Sequence, residues 1–279
     1  MRTFETIRYQ ANKYCPCGKS NRDGKFTTEK GFKNQPIGHC FSCDKDFWNK
    51  DEFSQVESWS RKIQKEIVVN YCHPDWKEIQ ETFDYNLQSG FTKFLVQKFG
   101  SKKAQEVVET YLLGNYKGDV IFWQMDRYNE VRAGKIMSYN SNGKRANYGN
   151  WWHSINGLNC QIRQCLFGDH LIPENNKPIA VVESEKTACI MHLCNPYYIW
   201  LSAGGKSGLN DKKCASIKKY EVVLFPDVDA FDQWEEIANK HGFDISNEPL
   251  KWAKEGIIDN KGDIADYYLN KYSPQVLSN

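Results

Sequence analysis

Three carboxylates at the ends of two apolar runs are the residues best placed to do chemistry in this 279-residue chain. Glu183 closes Ile179-Ala180-Val181-Val182, while Asp227 and Asp229 follow Val222-Val223-Leu224-Phe225-Pro226. Acids gathered at one point repel one another unless a cation sits between them. Hard oxygen ligands of this kind suit Mg²⁺ or Mn²⁺, which leave positions open for substrate phosphates. The chemistry to expect is therefore phosphoryl transfer. A lone strand-end Asp is more often a helix N-cap, and Asp-x-Asp alone is shared with sugar transferases and phosphatases. The combination carries more weight: strand–Glu–helix, strand, strand–Asp-x-Asp–helix, then a third acidic cluster at Gly262-Asp263-Ile264-Ala265-Asp266.

A second set of chemical groups lies at the amino end. Cys15-Pro16-Cys17-Gly18 and His39-Cys40-Phe41-Ser42-Cys43 have the form of two metal-binding turns separated by 22 residues (18–39). Paired thiols on tight turns are how a ribbon sets four sulfurs tetrahedrally around Zn²⁺, and a segment this short would owe most of its folding free energy to the metal. Cys15, Cys17, Cys40 and Cys43 are the expected ligands, with His39 as an alternative to one thiol because Cys-x-Cys is tighter than the usual spacing. The other six of the ten cysteines are scattered and receive no role. Cys189 and Cys194 read as small apolar residues on a helix, and the whole set argues for metal or free thiols rather than disulfides.

The elements that must position these groups follow from hydrophobic periodicity. The two apolar runs read as buried parallel strands, each leading into a helix (185–194 and 230–241), and another strand is expected over 197–201. In such sheets functional groups collect beyond the carboxyl ends of the strands. The turn Ala203-Gly204-Gly205-Lys206-Ser207-Gly208 lacks the spacing of an ATPase loop, yet can bring amides and Lys206 to a phosphate. Lys186 reads either as a phosphate contact or as a helix-surface charge. Upstream, residues 83–113 read as two helices punctuated by Gly90 and Gly100. Asp119–Asp126 and Glu130–Met137 read as a hairpin turning at 127–129. Residues 115–165 hold seven bases against three acids. Of these bases Arg132, Lys135, Lys144 and Arg145 are candidate phosphate contacts, against the plain reading of a solvated strand face. Trp151-Trp152-His153 offers a stacking platform, with core packing expected for at least one Trp. Residues 51–78 are polar and read as a linker with room for one helix.

Composition sets broad limits. Net charge is +2, hydrophobic residues make up 40% and charged residues 26%. No apolar run approaches the ~18–20 residues of a membrane span, and the first ten residues lack a signal-peptide core. A cytoplasmic protein without a membrane partner is expected.

The carboxylate pattern resembles the TOPRIM domain shared by bacterial-type primases, topoisomerases and some nucleases, in which a Glu, an Asp-x-Asp and a later Asp hold the metal. By that resemblance Glu183, Asp227 and Asp229 are catalytic metal ligands, joined by Asp263. Thr187 stands where those primases carry an acid. The order of the middle pieces, Phe122-Trp123-Gln124, Arg132-Ala133-Gly134-Lys135 and Leu166-Phe167-Gly168, is also similar to that of primase cores. Nearly the whole chain resembles compact zinc-plus-TOPRIM primase-like proteins of bacterial mobile elements, through strings such as Gln164-Cys165-Leu166-Phe167-Gly168 and Val182-Glu183-Ser184-Glu185-Lys186-Thr187-Ala188.

The resemblance implies an α/β protein with a zinc ribbon (1–50), a linker (51–78), an α+β primase-type subdomain (79–175) and a C-terminal TOPRIM domain with a Rossmann-like parallel sheet (176–279). The implied activity is metal-dependent synthesis of RNA primers on single-stranded DNA from nucleoside triphosphates, with any replicative helicase acting in trans. A TOPRIM nuclease and a catalytically weak single-strand-binding accessory protein are the alternatives.

Overall fold

A computed structural model describes Cys15, Asn21, residues 25–28, residues 37–47 and residues 71–271 except His73, Tyr148, Glu174 and Asn175. Contacts divide the chain into two compact units, Met1–Val69 and Asn70–Asn279. In the first, β1 (Phe26–Thr28), β2 (Gly38–Cys40) and β3 (Lys45–Phe47) form an antiparallel sheet in sequential order. Among its described residues Phe26, Cys15 and Cys40 are buried, with Cys43 and Phe47 packed against them. Most of the expected linker lies outside the described residues. Its last three residues begin a helix, α1 (Trp76–Thr82), because the Asp75 carboxylate caps the Lys77 amide at 2.8 Å.

In the second unit, α2 (Gly90–Phe99) and α3 (Ser101–Tyr111) cover an antiparallel sheet of β4 (Leu113–Tyr116), β5 (Asp119–Met125), β6 (Val131–Met137) and β7 (Asn150–Trp151). The hairpin falls where alternation in the sequence places it, with Trp123 paired to Gly134. A Cβ at Gly134 would lie 2.5 Å from the Trp123 ring, so glycine here makes room for a buried indole. Gly90 is also a packing residue rather than a stop. It is the first residue of α2, Ser89 caps that helix, and a Cβ would collide with the Tyr139 carbonyl. The cap is held by buried Asp84, which accepts from the Ser89 amide (2.9 Å) and the Thr92 hydroxyl (2.7 Å).

The remaining strands, β8 (Ile179–Val182), β9 (Ile199–Ser202), β10 (Val222–Phe225) and β11 (Asp244–Ile245), form a parallel sheet in the order β11-β10-β8-β9. All four residues of β8 are buried, as expected for a central strand. Strand β9 starts two residues later than expected, since the Asn195 side chain turns the chain by accepting from the Tyr197 amide. Leu166-Phe167-Gly168 extends the edge of this sheet: Phe167 exchanges two 3.0 Å hydrogen bonds with Ser202. One apolar core runs from α2 and α3 (Phe91, Leu95, Val108, Tyr111) through Phe122 and Phe167 to Val182 and Trp200. The Tyr111 hydroxyl donates to the Trp200 carbonyl at 2.9 Å inside it.

The cysteine reading needs one correction. Cys72 and Cys160 form a disulfide, with Cα atoms 5.2 Å apart. Their segments already run side by side, joined by a bridge between Tyr71 and Gln161 and by the Cys72 amide donating to the Gln161 carbonyl. Cysteines 88 residues apart carry no spacing signal, so composition alone pointed to thiols. Cys189 is fully buried, as a small apolar residue would be.

Candidate active site

The strand order creates the site. From β8 the chain passes through a helix, α4 (Glu185–Cys194), to β9 on one side, then through α5 (Asp211–Ile217) to β10 on the other. This reversal opens a crevice beyond the carboxyl ends of β8 and β10, the place where open α/β sheets bind ligands. Glu183 follows β8, and Asp227 and Asp229 follow β10. All three line one cavity of about 350 Å³, with Lys135, Arg145, Lys206 and Lys261 around them. An acidic floor meets a cationic rim.

The electrostatics are those of like charges held in a dry place. Burial, countered by the Asp227 amide and aided by Asp229 and Asp263, raises the Glu183 carboxyl to about 7. Burial and then the charges of Glu183, Asp263 and Asp229 push Asp227 up to about 8. The Asp227 amide donates to Glu183 Oε1 at 3.3 Å, which ties the two strand ends together. Asp227 Oδ1 is buried without a hydrogen-bond partner. An orphaned carboxylate oxygen among other acids is the donor that a hard divalent cation satisfies, so these residues fit Mg²⁺ or Mn²⁺. Among the described residues their oxygens do not close to within 4.8 Å of one another as a group, whereas the thiols do.

The other candidate residues are placed as follows. Lys206 donates to the Asp229 carbonyl and lies 3.4 Å from its carboxylate. Lys135 gives all its bonds inward, to both Glu185 oxygens (3.0 and 2.9 Å) and to the Gly204 carbonyl (3.1 Å). Arg132 is engaged by Asp126 and Glu130 at its own hairpin turn and lines a different cavity. Lys144 is exposed, and Lys186 is half-buried on α4; neither lines the carboxylate cavity. Asp263 sits beside that cavity but does not line it. Its Oδ1 accepts the Asp266 amide at 3.0 Å, and the Asp263 amide donates to Asp266 in return, a reciprocal cap on α7 (Ile264–Lys271) once α6 (Phe231–His241) is counted. Its Oδ2 accepts the Thr187 hydroxyl at 2.5 Å. A neutral donor thus occupies the place of the expected acid. Lys261, which lines the cavity, and Glu185, which holds Lys135 at its wall, received no role in the sequence reading.

In the first unit the sulfurs of Cys15, Cys40 and Cys43 lie within 4.8 Å of one another. Burial opposes ionisation of Cys40, but hydrogen bonds from Cys15, from the Ser42 and Cys43 backbone and from the Cys43 thiol outweigh it and bring the pKa down to about 7. Such a donor set could hold a thiophilic cation with one further ligand. Cys17 lies outside the described residues. His39 is directed elsewhere, 2.9 Å from Asp46 and 3.6 Å from Asp44.

Comparison with known proteins places the central segment. The family described as "Domain of unknown function (DUF6371)" matches residues 89–228, half of the chain, from the cap of α2 through Asp227. The chain belongs to this family. The matched region of this DUF6371 member contains the hairpin, Glu183 and the first Asp of the pair. None of the curated proteins compared with it matches. Among solved structures it is similar to the primase fragment of the bacteriophage T7 primase-helicase protein (16% identity, 92% of this chain and 95% of that one, TM-score 0.42). It is also similar to the E. coli primase catalytic core (14%, 69% and 84%, 0.38) and to the Aquifex aeolicus primase zinc-binding and RNA polymerase domains (13%, 80% and 55%, 0.36). Similarity this low carries no functional argument. Among the described residues no helix is long and apolar enough to cross a membrane.

Proposed function

We propose that the protein is a primase-like nucleotidyltransferase that makes short RNA primers on single-stranded DNA from nucleoside triphosphates. The observation that carries this reading is the meeting of Glu183, Asp227 and Asp229 with Lys135, Arg145, Lys206 and Lys261 in one cavity at the switch point of the parallel sheet. Carboxylates for a cation and bases for phosphates are the two halves of a metal–triphosphate site. Glu183, Asp227 and Asp229 would hold Mg²⁺ or Mn²⁺, with the orphaned Asp227 Oδ1 as one ligand atom. When bound, the cation would neutralise charge at phosphorus and favour the ionised 3′-hydroxyl. Arg145, Lys206 and Lys261 would hold the triphosphate, and Lys135, fixed by Glu185, would set one wall. No side-chain nucleophile is needed, because positioning and charge do the work.

Cys15, Cys17, Cys40 and Cys43 would hold a structural Zn²⁺ in a zinc ribbon. Residues 79–175 and 176–279 would be the two halves of the catalytic unit, the second a TOPRIM domain. The enzyme would work in the cytoplasm, with any replicative helicase acting in trans. A second reading, a single-strand-binding accessory protein with weak catalysis, is favoured by one feature. Thr187 replaces an acid, and Asp263 is already committed to it.

The test is incubation of purified protein with single-stranded DNA, labelled ribonucleotides and Mg²⁺ or Mn²⁺, with Asp227→Asn/Asp229→Asn beside it. Short oligomers are expected from wild type, falling at least ~10²-fold in rate in the double variant, about 2.7 kcal/mol of transition-state stabilisation. Equal synthesis by both would overturn the reading. Cleavage of DNA without nucleotides would make the site a nuclease.

A further inference from the structure

A second cavity of about 310 Å³ lies in the same unit, between the hairpin tip, the segment before Leu166 and α5. Five cations line it: Arg127, Arg132, Arg163, Lys212 and Lys213. Its two acids are already spent, Asp169 on Arg127 (2.6 Å) and Asp126 on Arg132 (2.5 Å). Arg163 and Lys212 are exposed and have no partner among the described residues. Lys213 is only 6% exposed, and its ammonium has one hydrogen bond, to the Ala203 carbonyl at 2.8 Å. An ammonium offers three donors, so two are left over, and among the described residues no carboxylate forms a salt bridge with it. At the rim stands Tyr128, 77% exposed at the hairpin tip. Its backbone is pinned there by its amide donating to Asp126 and by Asn129 in the left-handed region at φ 62°.

Free cations beside a solvent-facing aromatic ring form the pairing that holds single-stranded nucleic acid: phosphates on the bases, a nucleobase on the ring. We propose that this cavity is a strand-binding station separate from the carboxylate cavity, in which Arg163, Lys212 and Lys213 hold backbone phosphates and Tyr128 stacks a base. Contacts of this kind position a strand without reading its sequence. The proposal rests on the nucleic-acid reading of the protein but not on its catalysis. It also moves the expected strand contacts away from Arg132 and Lys135, whose charges are engaged internally.

The experiment measures binding of a labelled single-stranded DNA oligomer to the full chain by anisotropy over a range of salt, for Arg163→Gln/Lys212→Gln and for Tyr128→Ala. Both replace exposed side chains, and thermal unfolding checks that each variant folds. The double variant is expected to bind at least tenfold more weakly, with a log–log salt slope shallower by about 1.4, from roughly −0.7 per phosphate. Tyr128→Ala is expected to weaken binding at least about fivefold with its slope unchanged. Unchanged affinity and slope in both would overturn the proposal. So would unchanged DNA affinity with weakened nucleoside triphosphate binding, which would assign the cavity to a mononucleotide. If the variants lose strand binding while wild type makes no primers, the station stands and the primase reading falls. If Asp227→Asn/Asp229→Asn abolishes synthesis while these variants bind normally, the reverse holds.

Discussion

The thiol cluster and the carboxylate cavity solve the same problem, the gathering of repelling ligands, in opposite orders. Three sulfurs lie within 4.8 Å of one another in a unit whose buried apolar residues, among those described, are Phe26 and two of the cysteines themselves. The carboxylates stand at the ends of strands, their oxygens as a group further apart, and burial rather than a partner dominates the ionisation of Glu183 and Asp227. Under the proposed function a metal at the thiols would supply folding free energy to the small unit. At the carboxylates the large core imposes the site and its cost, which a cation would relieve.

The largest effect should come from breaking the first half of that contrast. Cys40→Ser, or chelation of the wild type, is expected to remove zinc and abolish amide protection in β1, β2 and β3. Structural zinc in small modules carries about 10–16 kcal/mol of apparent binding free energy. Hydrogen exchange on the full chain should show residues 79–271 still protected. Retained protection in β1, β2 and β3 without zinc would mean that the unit folds without the metal.

A smaller but still large effect should follow from Lys135→Ala, which strands Glu185, 2% exposed, without its cation. Breaking one partner of a buried pair costs about 3–5 kcal/mol, and the loss should appear in the urea midpoint. Lys135→Met/Glu185→Leu should recover most of it, because neither charge then remains buried. If the single variant is as stable as wild type, Glu185 is reached by water and Lys135 is free for ligands.

The two sites should also answer pH with opposite signs. In metal-free protein Glu183 and Asp227 titrate near 7 and 8, above the ~4 of unfolded carboxyls. Between those limits the native state binds more protons than the unfolded state. Their contribution is therefore fully present below about pH 4 and lost as pH rises through 7 to 8. The melting temperature of the larger unit in chelator should fall by about 5–10 °C between pH 5 and 8.5, and Mg²⁺ at pH 8.5 should restore it. Asp227→Asn/Asp229→Asn should flatten both responses. Cys40, brought down to about 7, behaves the other way: its contribution is present above the unfolded thiol range and lost as pH falls through 7.

The same contrast explains what could be read from the residues alone. The strand-end position of Glu183, Asp227 and Asp229 was legible because a buried parallel strand is a short apolar run and its carboxyl end is a fixed place. The hairpin was legible because alternation has a period of two. Helix α4 matches its expected span, 185–194, since Ser184 caps it locally. Groups that meet only through tertiary packing left no such trace. Lys135 and Glu185 are 50 positions apart, Thr187 and Asp263 are 76 apart, and Cys72 and Cys160 are 88 apart. Lys135 drew notice as a surface base, yet its ammonium is turned inward. The five cations of the second cavity come from three separate segments, so charge counting over 115–165 saw only part of them.

The smallest effect, and the one that sets the boundary of the carboxylate site, concerns Thr187. Its side chain is fully buried, with its hydroxyl 2.7 Å from Ser184 Oγ and donating to Asp263 Oδ2. Thr187→Val keeps the shape and removes the donor, so about 1 kcal/mol, or 2–4 °C, should be lost, while Thr187→Ser should lose less. The informative measurement is Mg²⁺ affinity, followed through the metal-induced rise in melting temperature. Asp263 caps α7 through Oδ1 and does not line the cavity, so freeing Oδ2 should leave the Mg²⁺ midpoint within about twofold of wild type. A clearly tighter midpoint in Thr187→Val would show that the threonine had been withholding Asp263 from the cation. Asp263 would then count as a fourth ligand, and the site would resemble the thiol cluster in completing itself around its metal.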